Sequence, residues 1–190
     1  MQADVNRYIE WIWSAVGIVW LAAAWASKKT VRCEPASSRL LHIAIMAAVF
    51  ALPFSGKLHV GALGWRFVPE SPAIAWTGLV LTAAGCAFAV WARTLLGGNW
   101  SSSVTVKQRH QLIRQGPYTI VRHPIYSGFL LALLGTALAL GEWRGIAGLA
   151  LAFAGWRWKS RLEEAFMTAQ FGAEYTEYQR QVKALIPFVL

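Results

Sequence analysis

The sequence predicts an all-α integral membrane protein with about five transmembrane helices. Three observations carry that prediction. Hydrophobic residues make up 56% of the 190 positions and charged residues only 14%, against roughly 25% charged in a soluble domain. The apolar residues gather in blocks that approach the ~20 residues a span requires. Tryptophan occurs 11 times, and Trp143 and Trp158 flank an apolar block, where such rings settle at membrane interfaces.

Each block has its own reading. Residues 11–27 carry no charge. No basic stretch with a cleavage site precedes them, so they read as a retained helix rather than a signal peptide. Residues 40–56 are uncharged apart from His42, and 71–92 and 125–141 are uncharged throughout. Residues 145–156 are apolar but short. Trp143, Arg144, Arg157, Trp158 and Lys159 at their flanks can anchor or snorkel at the interfaces; the competing reading is a half-buried hairpin arm. The chain therefore reads as one domain. Three spans occupy 1–92, a polar loop 93–124, a span hairpin 125–158 and C-terminal cytoplasmic helices 159–190.

The net charge of +9 is a matter of topology rather than nucleic-acid binding. With five spans and the N-terminus outside, only Arg7, Lys57, Arg66 and Arg144 stay outside. All other Lys and Arg face inward, as the positive-inside rule requires, and can meet anionic lipid headgroups. The expected location is the cell (inner) membrane. Cys33 and Cys86 suggest neither a disulfide framework nor a metal cluster, and the four histidines lack metal-ligand spacing, so no metal is expected. The spans carry almost no ionisable residue. That argues against an ion channel or proton-coupled transporter and places the chemistry at the cytoplasmic face.

Two inner segments hold most of the polar residues. In the loop, Gly97-Gly98-Asn99 and Gly116-Pro117 are turn signals, and 101–106 alternate weakly in a β-like way. Pro124 disfavours an α conformation at His123 and suits the first turn of the next helix. His123 then sits at a helix N-cap, where unpaired N–H groups and the positive dipole end favour a carboxylate ligand. Gly128 permits a close approach to the helix. In the C-terminal segment, Leu162, Ala165, Phe166 and Ala169 recur at helical spacing, with Gly172 as the C-cap. Tyr175 and Tyr178 fall on a second short helix ended by Pro187 and read as packing. Glu163 and Glu164 follow Arg157, Lys159 and Arg161; the bland reading is a solvated face.

The run "LIRQGPYTIVRHPIYSG", followed after the span hairpin by "RLEEAFMTAQFGAEYTEYQRQV" and "LIP", resembles the integral-membrane methyltransferases of the isoprenylcysteine carboxyl methyltransferase family. Phospholipid methyltransferases and methanethiol S-methyltransferases are related to it. The ordered elements cover about 97–188. The first two spans carry no such signature.

The resemblance implies S-adenosylmethionine as methyl donor, in a cytoplasmic pocket built from the loop before the fourth helix and the C-terminal segment. By position, His110, Gln111, Leu112, Ile113, Gly116 and Tyr118 line that pocket. Arg122, His123, Pro124, Ile125 and Tyr126 continue it, and Glu163 is the acid that contacts the cofactor. A carboxylate suits an ammonium or ribose hydroxyl, and tyrosine faces suit a sulfonium. For Leu112 and Ile113 plain packing is the alternative; for Gly116 and Gly128 it is a purely conformational role. Lys159, Arg161 and Glu164 are the candidate catalytic residues. Lys159 stands where the resemblance puts a carboxylate-binding arginine, and the two are not equivalent at such a site. The acceptor is then a lipophilic or small molecule: a prenylcysteine-like carboxylate, a thiol or a lipid amine. A neutral acceptor needs a base, for which Glu164, His123 or a tyrosine are candidates. The alternatives are an NADPH-dependent membrane reductase of the sterol-reductase type and a non-enzymatic membrane protein. Oligomeric state is open.

Overall fold

The computed structural model describes residues 2–25, 30–33, 36–55, 58, 60–97, 105–107 and 112–190. Six α-helices dominate: α1 (Gln2–Trp25), α2 (Ala36–Phe54), α3 (Pro72–Leu96), α4 (Pro124–Leu140), α5 (Trp143–Phe171) and α6 (Ala173–Gln181). Short 3-10 turns lie at Gly61–Gly64 and Gly116–Thr119. Two short strands, β1 (Thr30–Cys33) and β2 (Thr105–Lys107), pair antiparallel with Arg32 opposite Val106. Of the weak alternation at 101–106, residues 105 and 106 fall in β2 and 101–104 lie outside the described residues; the all-helical expectation gains a small ribbon.

Local chemistry explains the helix limits. Pro72 and Pro124 open α3 and α4, where a missing N–H costs nothing. Gly141 ends α4 in the left-handed conformation, φ 75°, and Glu142 starts the return into α5. Helix α1 begins well before residue 11, because Val5 and Ile9 pack on Ala75 and Ala139 of α3 and α4. The short block 145–156 is part of a 29-residue helix. No Gly or Pro interrupts the chain between Trp156 and Gly172, so α5 runs on to Phe171. The expected separate cytoplasmic helix at 159 is therefore the continuation of α5. Helix α6 stops at Gln181, six residues before Pro187.

The centre of the fold is α3 against α4, in near backbone contact. A methyl group on Gly85 would lie 2.5 Å from the Gly128 carbonyl oxygen, and one on Gly135 2.5 Å from the Gly78 carbonyl oxygen. Small residues at these crossings let the two backbones touch, the usual device for packing helices in lipid. Gly128 therefore admits α3, not a ligand. Thr82 and Thr136 hydrogen-bond across the same seam at 3.3 Å, and Trp13 Nε1 donates to Thr136 Oγ1 at 3.1 Å, tying in α1. Helix α2 packs on α5, while α1 packs on α3 and α4.

By length and composition, α2 and α3 can cross a membrane; α4 is apolar but shorter. Ile18, Leu21, Leu40, Ile43 and Val80 are exposed on the helix surfaces, as lipid-facing positions are.

Candidate active site

The Arg122-His123-Pro124 triplet enters α4 beneath the far end of α5. The chain from Lys183 to Leu185 straps it in place. Arg122 N donates to the Lys183 carbonyl at 2.8 Å, His123 N to that of Ala184 at 2.9 Å, and Ser127 Oγ to that of Leu185 at 2.5 Å. The Arg122 and His123 amides are thus taken up by the strap, and the first N–H groups inside α4 are those of Ile125 and Tyr126. The Arg122 guanidinium is likewise occupied. Nε and Nη2 donate to Glu164 Oε1 at 2.9 and 2.6 Å, and Nη1 donates to the Gln179 and Val182 carbonyls.

Glu164 collects the remaining bonds: His123 Nε2 lies 3.1 Å from Oε1, and Gln179 Nε2 donates to Oε2 at 3.2 Å. Burial alone would raise its pKa. The His123 and Arg122 hydrogen bonds and charges outweigh burial and bring it down to about 2. A carboxylate this well satisfied is a poor base, so the geometry gives Glu164 a holding role in place of the expected catalytic one. Gln179 was not visible in the sequence as a partner; a lone glutamine on a polar helix carries no signal.

Glu163, one residue on, has a different environment. The Tyr126 hydroxyl donates to Oε1 at 2.6 Å, and His123 Nδ1 sits 3.4 Å from Oε2. Burial again opposes ionisation, but the His123 bond, the Lys159 charge and the Tyr126 bond hold its pKa below the usual value. For His123, burial lowers the pKa, and the two glutamates more than reverse that and raise it. The imidazolium can then donate to both carboxylates.

An aromatic series leads away from this cluster. His123 stacks on Tyr126 at 5.6 Å and Tyr126 on Trp156 at 5.7 Å, both nearly parallel. Phe129 and Trp13 continue it. Tyr126, Trp156, Phe129 and Trp13, with Lys159, wall a cavity of about 810 Å³ between α1, α2, α4 and α5. Lys159 is only 4% exposed. It lies at the junction, lining the cavity while its charge acts on Glu163. Trp13, His42, Met46 and Phe50 also line it; none was legible as a site residue, because apolar lining follows no spacing rule.

The other expected site residues divide. Pro124 and Ile125 are buried at the start of α4, and Ile125 reaches the cavity. Tyr118 is buried with its hydroxyl on the Ala92 carbonyl, and its carbonyl accepts from Tyr178 at 2.6 Å. Tyr118 and Tyr178 are thus packing groups, as is Ile113 beside Tyr118. Leu112 is half-buried. Gly116 holds φ 60° with Leu95 against it, a conformational role. Arg161 is exposed. It stands two residues from both Lys159 and Glu163, so it points roughly 200° around α5 from each, away from the cluster. His110 and Gln111 lie outside the described residues.

Residues 73–174 match the family model of phospholipid methyltransferase. The chain belongs to that family. As a methyltransferase it has relatives over almost its whole length. It is 29% identical to a probable protein-S-isoprenylcysteine O-methyltransferase of Oryza sativa subsp. indica, over 94% of this chain and 96% of that protein. It is 31% identical to the human protein-S-isoprenylcysteine O-methyltransferase, over 65% of this chain and 45% of that protein. The solved structure of the eukaryotic intramembrane Ras methyltransferase ICMT resembles it with a TM-score of 0.58 at 25% identity. That match covers 78% of this chain and 53% of the other. These relatives set aside the reductase and the non-enzymatic alternatives for this methyltransferase.

Proposed function

We propose that this methyltransferase transfers a methyl group from S-adenosylmethionine to the carboxylate of a prenylcysteine-like acceptor at the cytoplasmic face of a membrane. The observation that carries the reading is the junction at Lys159, where an apolar cavity set among the helices meets an ionised polar cluster.

The residues present fit the donor. Glu163 is an ionised carboxylate suited to an ammonium or a ribose hydroxyl. His123, Pro124, Ile125 and Tyr126 stand beside that carboxylate at the entry to α4. When bound, S-adenosylmethionine supplies an electrophilic methyl on a good leaving group. The chain's own residues then have three tasks. Arg122, Glu164 and Gln179 keep the His123 ring fixed. Tyr126 and His123 aim Glu163. The aromatic walls exclude water and align the acceptor, which is mostly a matter of proximity and orientation. A carboxylate acceptor needs no base, in keeping with the saturated state of Glu164.

The membrane reading follows the same logic. Helices α1 to α5 span the bilayer with the N-terminus outside, and the extension of α5 past Lys159, with α6, lies in the cytoplasm. Helix α1 rests on α3 and α4, and α2 on α5. A lipophilic acceptor enters from the bilayer between spans, and the polar donor from the cytoplasm.

The test is tritiated-methyl transfer from S-adenosylmethionine by purified protein in liposomes. An S-prenylated N-acetylcysteine is offered beside thiol and lipid-amine acceptors. The expected product is an alkali-labile methyl ester. Alkali-stable label would move the reading to S- or N-methylation. Saturable NADPH binding without S-adenosylmethionine binding would overturn it.

A further inference from the structure

His42 is the only charge-capable residue of the second apolar block, and the structure gives it a place. Helices α2 and α5 pack antiparallel. A methyl on Gly148 would contact the Val49 carbonyl oxygen at 3.2 Å, and one on Gly155 would contact Ile45 Cγ2 at 2.9 Å and Met46 Cε at 3.5 Å. Advancing along α5 therefore means retreating along α2. One further turn on each helix, about 3.6 residues, brings Lys159 level with His42. Both line the cavity, and so does Tyr126, whose hydroxyl is on Glu163. The other polar lining residues lie elsewhere. Glu10 is ten residues up α1 from Trp20, roughly 15 Å along the helix, and Ser14 Oγ is taken by the Glu10 carbonyl at 2.7 Å. Aromatic rings occupy the middle.

The cavity is thus polar where it meets the donor cluster, apolar through its middle, and polar again only at Glu10 and Ser14 on α1. A lipophilic acceptor must bring its reacting head to the donor end. Lys159 supplies charge there, but an ammonium on a flexible stem is a point charge that does not orient a planar carboxylate; a guanidinium fork does. A second donor from another helix restores direction. We propose that His42 and Lys159 form a two-point receptor for the acceptor carboxylate. His42 donates a ring N–H to one oxygen, and the other is left aimed at the donor side. This rests on the carboxylate reading given under the proposed function and deepens it by naming the group that selects and orients the head. His42 is a positioning residue that touches the acceptor.

The experiment compares wild type, His42→Ala and His42→Gln in liposomes, with acceptor KM, kcat and donor Kd measured for each. Removing a hydrogen bond to a charged group shifts binding by about ten- to a hundredfold. His42→Ala is expected to raise the acceptor KM by that factor with donor Kd unchanged. His42→Gln, which keeps an N–H donor, is expected to recover most of the loss. A decarboxylated S-prenyl analogue used as competitor is expected to bind wild type and His42→Ala equally. The proposal is overturned if His42→Ala keeps the acceptor KM within twofold. It is also overturned if the decarboxylated analogue weakens in parallel, which makes His42 a plain wall, or if donor Kd worsens in step, which makes it a folding element. A wild type that esterifies no prenylcysteine carboxylate overturns the carboxylate reading itself, before any variant is compared.

Discussion

The Tyr126 hydroxyl donates to Glu163 at 2.6 Å while its ring lies nearly parallel to Trp156. One side chain therefore aims the Glu163 carboxylate and closes the wall of the apolar cavity. Tyr126→Phe keeps the ring and removes the bond. Because the acceptor of that bond is charged, its loss is worth about 1.5–3 kcal/mol. The melting temperature is expected to fall by the loss of that bond, and donor affinity is expected to fall with it because Glu163 is no longer aimed, as measured by thermal unfolding and calorimetric titration in detergent.

Arg122 and Glu164 are both largely buried, with side chains 10% and 12% exposed. Taking away one partner leaves the other charge buried and uncompensated, a loss of about 3–5 kcal/mol. Arg122→Ala is expected to lower the melting temperature sharply. Arg122→Lys is expected to rescue only part of it, since a lysine cannot reproduce the fork that reaches Glu164 and two carbonyls together. Equal stability of Arg122→Lys and wild type would count against this clasp.

The cluster also sets a pH dependence. The folded pKa of Glu164 lies near 2, below its ordinary 4.5, so its stabilising contribution is present above 4.5 and is lost as pH falls towards 2. The folded pKa of His123 is raised above 6.5, so its contribution is full below 6.5 and is lost as pH rises through the raised value. Stability from this pair is therefore greatest between pH 4.5 and 6.5. Thermal melts across pH are expected to show falling stability on both sides, and Glu164→Gln is expected to flatten the acid limb.

The α3–α4 seam makes a steric prediction. At Gly85 an added methyl meets backbone atoms at 2.5 Å, whereas at Gly17 it meets nothing within 4 Å. Gly85→Ala is expected to destabilise by about 1–3 kcal/mol through overpacking. Gly17→Ala is expected to be neutral or slightly stabilising, because alanine is the better helix former. Thermal unfolding of the two variants side by side decides it.

Much of this was legible in the sequence, and the remainder has physical reasons. Polar residues confined to two segments of a greasy chain showed where to look, the family resemblance singled out His123, Tyr126 and Glu163 within them, and Pro124 and Gly172 marked helix limits that the structure keeps. What escaped depends on partners far apart in sequence. Arg122 was expected to face a ligand, yet it is spent on Glu164, Gln179 and Val182. Glu164 has the same composition as Glu163 and a different task, because α5 turns it towards a different neighbour. Helices α1 and α2 carry no motif, since a cavity wall asks only for apolar bulk, which Trp13 and Phe50 share with any span.

The strap from Lys183 to Leu185 has a consequence for biosynthesis. Its carbonyls receive the bonds that hold Arg122, His123 and Ser127, about sixty residues earlier in the chain. During translation the six helices of the bundle are made before these partners. The anchoring of Arg122, His123 and Ser127 therefore waits on the synthesis of Lys183 to Leu185, and a chain cut short before Lys183 is expected to lose it.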